Sequence, residues 1–428
     1  MENSPHNLTS SWQFNQVFRY LSVLLLSVIL ARSIQDRSAL ATIELLFLIG
    51  SLFSSALVSS VLQAGLLPAV PTQNLKATSM VFLGFGLLSS LLFFFGAFAI
   101  PTWNHWSMPL RFSVAAWLAC MPLGFVLEHL LFRHQKSGWL RVSSFISGSS
   151  YLALGSTFLW WPLGSGGVQV FSGLAIFAFL KALIAIHFVW KIESDSSIWN
   201  TIKPLLHHTW PLLLAFVFGM YSMYLDGIWV ATWAGASAFL LFSYGAREFP
   251  LSQLLANGFS ENQVRHFRTH GQFNHFKKEQ IRIGYLTIPA SIALMVSAPF
   301  LFNLVFGSSF AAAAGVFQVY LLLIVPRLFF PQTLLYAFGY SKWALPASIV
   351  EWLINVGCSI WWLHLWGWEA VAWATVLAFC IEKLLLLGIL RKKSPETWQQ
   401  AIPPKPVLLL LLLLGFTFLL LRLDLNLV

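Results

Sequence analysis

The chain has 428 residues, of which 58% are hydrophobic and 9% charged, and its formal net charge is +10. A soluble domain carries about 25% charged residues, so the composition excludes one and points to a polytopic helical membrane protein. The positive charge needs no nucleic-acid partner: no folded basic groove accompanies it, and cytoplasmic connections of membrane proteins collect lysine and arginine.

The apolar runs are continuous over twenty residues or more, which fits spanning helices and not the short alternating segments of a β-barrel. After a polar start, MENSPHNLTSSW, spans are expected at 14–31 and 39–65, with RSIQDRS between them, and then near 77–100, 110–132, 140–162 and 168–190. The polar stretch KIESDSSIWNTIK follows, opening a cytoplasmic linker over 191–207. Six more spans fall near 208–231, 236–258, 283–306, 311–338, 343–365 and 368–390. The expected fold is therefore all-α: two six-helix lobes, 1–190 and 208–393, giving 12 core transmembrane helices. The tail, 394–428, holds a Leu-rich run after Pro403 that makes a thirteenth, lipid-facing helix.

With the N-terminus in the cytoplasm, sixteen of the 25 lysines and arginines fall in inside connections and four outside, the other five lying within spans. That asymmetry sets the orientation. The longest inside connection, 260–282, reads as a basic amphipathic segment on anionic lipid headgroups. His266 and His270 have helical spacing there, but no cysteine or carboxylate completes a metal site. Cys120, Cys358 and Cys380 lie in apolar runs without CxxC spacing, so no metal, cofactor or disulfide framework is expected.

Charges inside spans are the functional candidates, because each costs about 2.5 to 3.5 kcal/mol on insertion scales and normally faces a bundle interior or a watery cavity. The cations are Arg19, Lys181, Arg247, Arg327 and Lys383; the acids are Glu44, Asp226, Glu248, Glu351 and Glu382. Arg19, Lys181, Arg247, Arg327 and Glu248 are candidates for substrate binding, and Asp226, Glu44 and Glu351 for ion coupling. Lys383 beside Glu382 reads as helix packing, and Glu128 with His129 as residues that snorkel to the interface. Arg327 stands in VPRLFFPQ, where two prolines five apart break the helix and free carbonyls, a feature of transporter sites near the midplane. Trp103, Trp106, Trp160, Trp161, Trp233, Trp361, Trp362, Trp366 and Trp368 crowd the outer ends and read as an interfacial belt.

The stretch from Phe306 to Phe379 is similar to a known family. Phe306-Gly307 opens a span, Ala337-Phe338-Gly339-Tyr340-Ser341-Lys342 follows it, Asn355 lies midway along the next, and Gly367-Trp368-Glu369-Ala370 with Ala374-Thr375 starts the twelfth. In order and spacing these resemble the multidrug/oligosaccharidyl-lipid/polysaccharide (MOP) exporter superfamily, in its O-antigen and polysaccharide flippase branch. The N-terminal half resembles it in hydropathy only, and the arginine set of the lipid II flippases is not matched.

The resemblance implies two lobes around a cavity that opens to either side in turn, in the bacterial inner membrane, with Asn355 a further cavity candidate. The cargo it implies is an undecaprenyl-pyrophosphate-linked oligosaccharide for cell-surface polysaccharide, O-antigen or lipopolysaccharide. A proton or sodium ion would couple its movement, and glycosyltransferases and a polysaccharide polymerase would be its working partners. No catalytic motif appears, so the protein reads as a transporter. Two alternatives stand beside it: an ion-coupled multidrug antiporter of the same superfamily, whose cavity would favour acids without arginines, and an O-antigen polymerase or ligase, which would present a large outer loop. Every outer connection here is short.

Overall fold

A computed structural model describes residues 5–64, 75–99, 106–133, 137–159, 166–191, 214, 218, 224–247, 255–260, 263–264, 267 and 276–425. Helices alone form the regular structure among these residues. The physical reason is solvation: in hydrocarbon every backbone N–H and C=O must be satisfied within the segment, which a helix does. Eight of the described helices are long and apolar enough to cross a membrane. The chain divides into two compact units, Met1–Met220 and Tyr221–Val428; the expected linker, 191–207, lies outside the described residues apart from Lys191.

The first unit contains α1 (Pro5–Ser33), α2 (Arg37–Ala64), α3 (Leu75–Ala99), α4 (Met108–Arg133), α5 (Ser137–Gly155) and α6 (Gly166–Lys191). Its main pairings are α4 with α6 and with α3, and α1 with α5. Because lipid is as apolar as leucine, such pairings rely on close packing, and small residues at the crossings permit it. Gly173 on α6 is the tightest case. A Cβ there would fall far inside van der Waals contact distance of the Leu154 carbonyl oxygen.

The second unit contains α7 (224–233), α8 (Gly235–Gly245), α9 (255–260), α10 (Phe276–Phe306), α11 (Ala313–Leu321), α12 (Ile324–Arg327), α13 (Pro331–Ala337), α14 (Ala344–Trp366), α15 (Ala370–Lys393) and α16 (Lys405–Leu425). The helices α14 and α15 form a packed hairpin, and α10 packs on α11 and α16. Gly307 and Gly367 take φ of +106° and +82° at the turns they open, where a side chain would be strained.

The expected break around Arg327 is present: α11, α12 and α13 are three pieces of one span. Backbone groups released by the break find partners. Leu328 O accepts from Gln280 Nε2 at 3.0 Å, and Phe330 N–H donates to Ala401 O at 3.0 Å. A similar repair occurs on α10. Pro299 has no N–H for the carbonyl four residues back, and that carbonyl, Met295 O, accepts from Gln318 Nε2 at 3.0 Å.

The Leu-rich tail forms α16, bound to the unit at both ends. Near its start Lys277 Nζ donates to Gln399 O at 2.8 Å and to Ile402 O. Near its end an Arg422 Nη2 donates to Gly315 O at 3.0 Å. Between these anchors Val407 packs on Gly284, and Leu409, Leu412 and Leu419 stay exposed, the surface a lipid-facing helix needs.

Candidate functional site

Asp226 on α7 is 1% exposed and sits among neutral donors from two other helices. Ser359 Oγ donates to its Oδ1 at 2.7 Å; Thr375 Oγ1 and Asn355 Nδ2 donate to Oδ2 at 2.6 and 3.4 Å. Ser359 Oγ also lies 2.7 Å from Asn355 Oδ1, and the Tyr320 hydroxyl of α11 lies 3.4 Å from Thr375 Oγ1. Among the described residues no lysine or arginine pairs with Asp226.

Helical periodicity builds this cluster. On α14 the residues Ser348, Glu351, Asn355 and Ser359 recur at intervals of three and four, so they share one face, and all four are buried. Thr375 is on the buried face of α15, one turn beyond Val371, whose carbonyl lies 3.4 Å from Thr375 Oγ1. The result is a polar set around one carboxylate: two hydroxyls and one amide, which turns its Nδ2 toward the carboxylate. Carboxylate and hydroxyl oxygens are the donors that hard cations take. A single carboxylate balances one positive charge, so the set suits a monovalent cation or a proton. Among the described residues no group of three or more His, Cys, Asp or Glu gathers.

The other candidates fall elsewhere. Arg247 stands just past the end of α8, half-buried, its Cζ 4.3 Å from the centre of the Tyr244 ring. Arg327 ends α12 at the proline break. Both arginines are thus at the carbonyl end of a helix, where cations are favoured, so each has a local reason for its position besides any ligand. Glu351 is buried one turn from Asn355. Glu44 is buried on α2 in the first unit. Glu248 lies outside the described residues, as do His266 and His270.

Arg19 and Lys181 are also in the first unit, where the structure corrects one expectation. Glu128 does not snorkel. It is 3% exposed and ion-paired with Lys181, because the lysine of α6 reaches it within the α4 and α6 pairing. Lys383 pairs with Glu382 at 2.8 Å and donates to Gln332 Oε1 at 3.3 Å. Of the tryptophans expected in the outer belt, Trp233, Trp361 and Trp366 are exposed, whereas Trp106 is buried and stacked on Phe93; Trp103, Trp160 and Trp161 lie outside the described residues.

Sequence reasoning reached Asp226 and Asn355 separately and missed Ser359 as their partner. Its one available signal was the four-residue spacing from Asn355. Thr375 was noted only as part of a family motif.

No protein-family model matches the chain, and no curated protein matches it. Solved structures do. A lipid II flippase, MurJ, in an inward closed conformation is 16% identical, with a TM-score of 0.62 over 96% of this chain and 97% of that one. A MOP superfamily transporter from Pyrococcus furiosus, described as having a binding pocket of reversed polarity, is 12% identical, with a TM-score of 0.63 over 92% and 95%. A multidrug resistance MATE family transporter in an outward-facing conformation is 12% identical, with a TM-score of 0.57 over 92% and 96%. At these identities the likeness is one of fold: the chain is a multi-pass membrane protein with the fold of MOP superfamily transporters.

Proposed function

We propose that the protein is a cation-coupled flippase that moves a lipid-linked oligosaccharide with a pyrophosphate linkage from the cytoplasmic to the outer leaflet of a bacterial inner membrane, with its N-terminus in the cytoplasm. The observation that carries the coupling is Asp226, a buried carboxylate with three neutral donors and no protein cation paired to it among the described residues. Neutral hydrogen bonds offset much of the cost of burying this charge but do not neutralise it, so a mobile cation or a proton is its natural counter-charge. Arg19, Lys181, Arg247 and Arg327 supply positive charge suited to pyrophosphate, arginine being able to grip it with two parallel hydrogen bonds. The cargo would serve cell-surface polysaccharide synthesis, handed over by glycosyltransferases and passed on to a polymerase.

A drug exporter of the same fold could use the Asp226 site equally well. The intramembrane cations favour an anionic cargo over the amphipathic cations such exporters carry. The test is complementation of a strain lacking its own polysaccharide flippase. The wild-type protein is expected to restore surface polysaccharide and Asp226→Ala to fail at normal membrane levels. Drug resistance conferred without any surface polysaccharide would replace the flippase by the exporter.

A further inference from the structure

The first unit holds a second buried polar cluster, opposite in charge to that around Asp226. Lys181 of α6 is ion-paired with Oε1 of Glu128 on α4. Asn15 Nδ2 of α1 donates to Glu128 Oε2 at 3.0 Å, and Asn15 Oδ1 accepts from Ser144 Oγ of α5 at 2.9 Å. Arg19, one turn beyond Asn15, brings a second positive charge to the same Phe125 ring that flanks Lys181. Four helices therefore converge on one carboxylate and two cations.

The surroundings are fitted to the lysine. Gly124, one turn before Glu128, leaves room for its stem, since a Cβ there would stand 3.0 Å from Lys181 Cδ. The rings of Phe125 and Phe177 lie 5.7 and 5.9 Å from its Nζ, and Phe125 also lies 5.1 Å from Arg19 Cζ. The pair is not sealed. Lys181 keeps 12% of its side chain exposed, against 4% for Glu128.

Lys181 and Glu128 hold their ion pair in a low-dielectric place, with the Arg19 guanidinium against the same Phe125 ring. We infer that Glu128 is an internal counter-anion: it occupies Lys181 and Arg19 in the empty protein and yields them to the diphosphate of the cargo. The inference rests on the proposed diphosphate cargo and adds a specificity-determining residue to it. A diphosphate brings at least two negative charges and several acceptor oxygens, enough to match both cations and to outcompete a single carboxylate. An anion carrying less charge does not. Asn15, itself held by Ser144, keeps a hydrogen bond to the carboxylate when Lys181 turns to the ligand. Glu128 thus sets a threshold on the charge of the headgroup admitted.

The experiment titrates farnesyl diphosphate and a farnesyl methyl monophosphate diester, which carries a single negative charge, calorimetrically into the full-length protein in detergent, as wild type, Glu128→Gln and Lys181→Met. Wild type is expected to bind the diphosphate about tenfold more tightly than the monophosphate or better, and Lys181→Met to lose about tenfold or more in diphosphate affinity. Glu128→Gln is expected to gain about tenfold for the monophosphate, narrowing the discrimination. Unchanged or weaker monophosphate binding by folded Glu128→Gln overturns the inference while leaving the diphosphate cargo standing, as does unchanged diphosphate binding by Lys181→Met. Failure of wild type to bind either probe removes the diphosphate reading itself, and the inference with it. Should Glu128→Gln not fold, Glu128→Asp is expected to show a smaller gain in the same direction. If neither folds, Glu128 holds the four helices together and the inference is overturned.

Discussion

Replacing Asp226 by asparagine removes its charge and keeps its shape, so it isolates what the charge does. The carboxylate is 1% exposed, and without a counter-cation its burial costs several kcal/mol. Hydrogen bonds to a charged acceptor return about 1.5 to 3 kcal/mol each, and two of its three bonds are short, those from Ser359 at 2.7 Å and Thr375 at 2.6 Å. Together these two offset about 3 to 6 kcal/mol, comparable with the burial cost, so the empty site is close to balanced. A cation present at a hundred times its dissociation constant then adds about 2.7 kcal/mol of stability. Thermal unfolding in detergent, in sodium chloride against choline chloride, reads these terms directly. Sodium is expected to raise the unfolding temperature of wild type but not of Asp226→Asn, and in choline the variant is expected to unfold at or above the wild-type temperature. Acid should shrink the sodium effect in wild type, because a proton then takes the place of the cation. A variant that keeps the full sodium effect would refute the assignment of the cation to this carboxylate.

Gln318→Leu should cost about 1 to 3 kcal/mol by leaving Met295 O buried and unbonded. In a Pro299→Ala background, where the restored N–H reaches that carbonyl, the cost should fall clearly below this; thermal unfolding of the four proteins of the cycle checks it. Arg247→Ala and Arg327→Ala should reach the membrane but fail to restore surface polysaccharide, with lysine at either position restoring part of it, as complementation will show; full export by both alanine variants would leave these arginines only their places at the helix ends. Cysteines placed at Ser165 and Ala234 should react with impermeant reagents from outside the cell and those at Ser137 and Gly271 should not, and labelling in the opposite sense would reverse the proposed direction of transport.

The helices were legible in the sequence because lipid makes a harsh demand: a span must be a long apolar run, and each interruption must have a reason. The break at Arg327 could be read from Pro326 and Pro331 for the same reason. Which polar groups meet could not be read. Asp226 finds its partners 129, 133 and 149 positions away, and Ser359 and Thr375 are neutral, so they raise no alarm in an apolar run. Glu128 shows the limit from the other side. Near a helix end it reads as an interfacial charge, and only the packing of α4 on α6 brings Lys181, 53 positions on, to its carboxylate. The repair of Met295 O by Gln318 was also invisible, although Pro299 signals that some group must supply the missing donor.

The most direct test of the account is reconstitution. Proteoliposomes holding the purified protein and a fluorescent undecaprenyl-pyrophosphate oligosaccharide in both leaflets are given an inward or outward sodium or proton gradient, and the fraction of probe accessible to an external quencher is followed. The account predicts that wild type redistributes the probe in a direction set by the gradient, and that Asp226→Asn loses this dependence. Redistribution equal to that of protein-free vesicles, under every gradient, would contradict it.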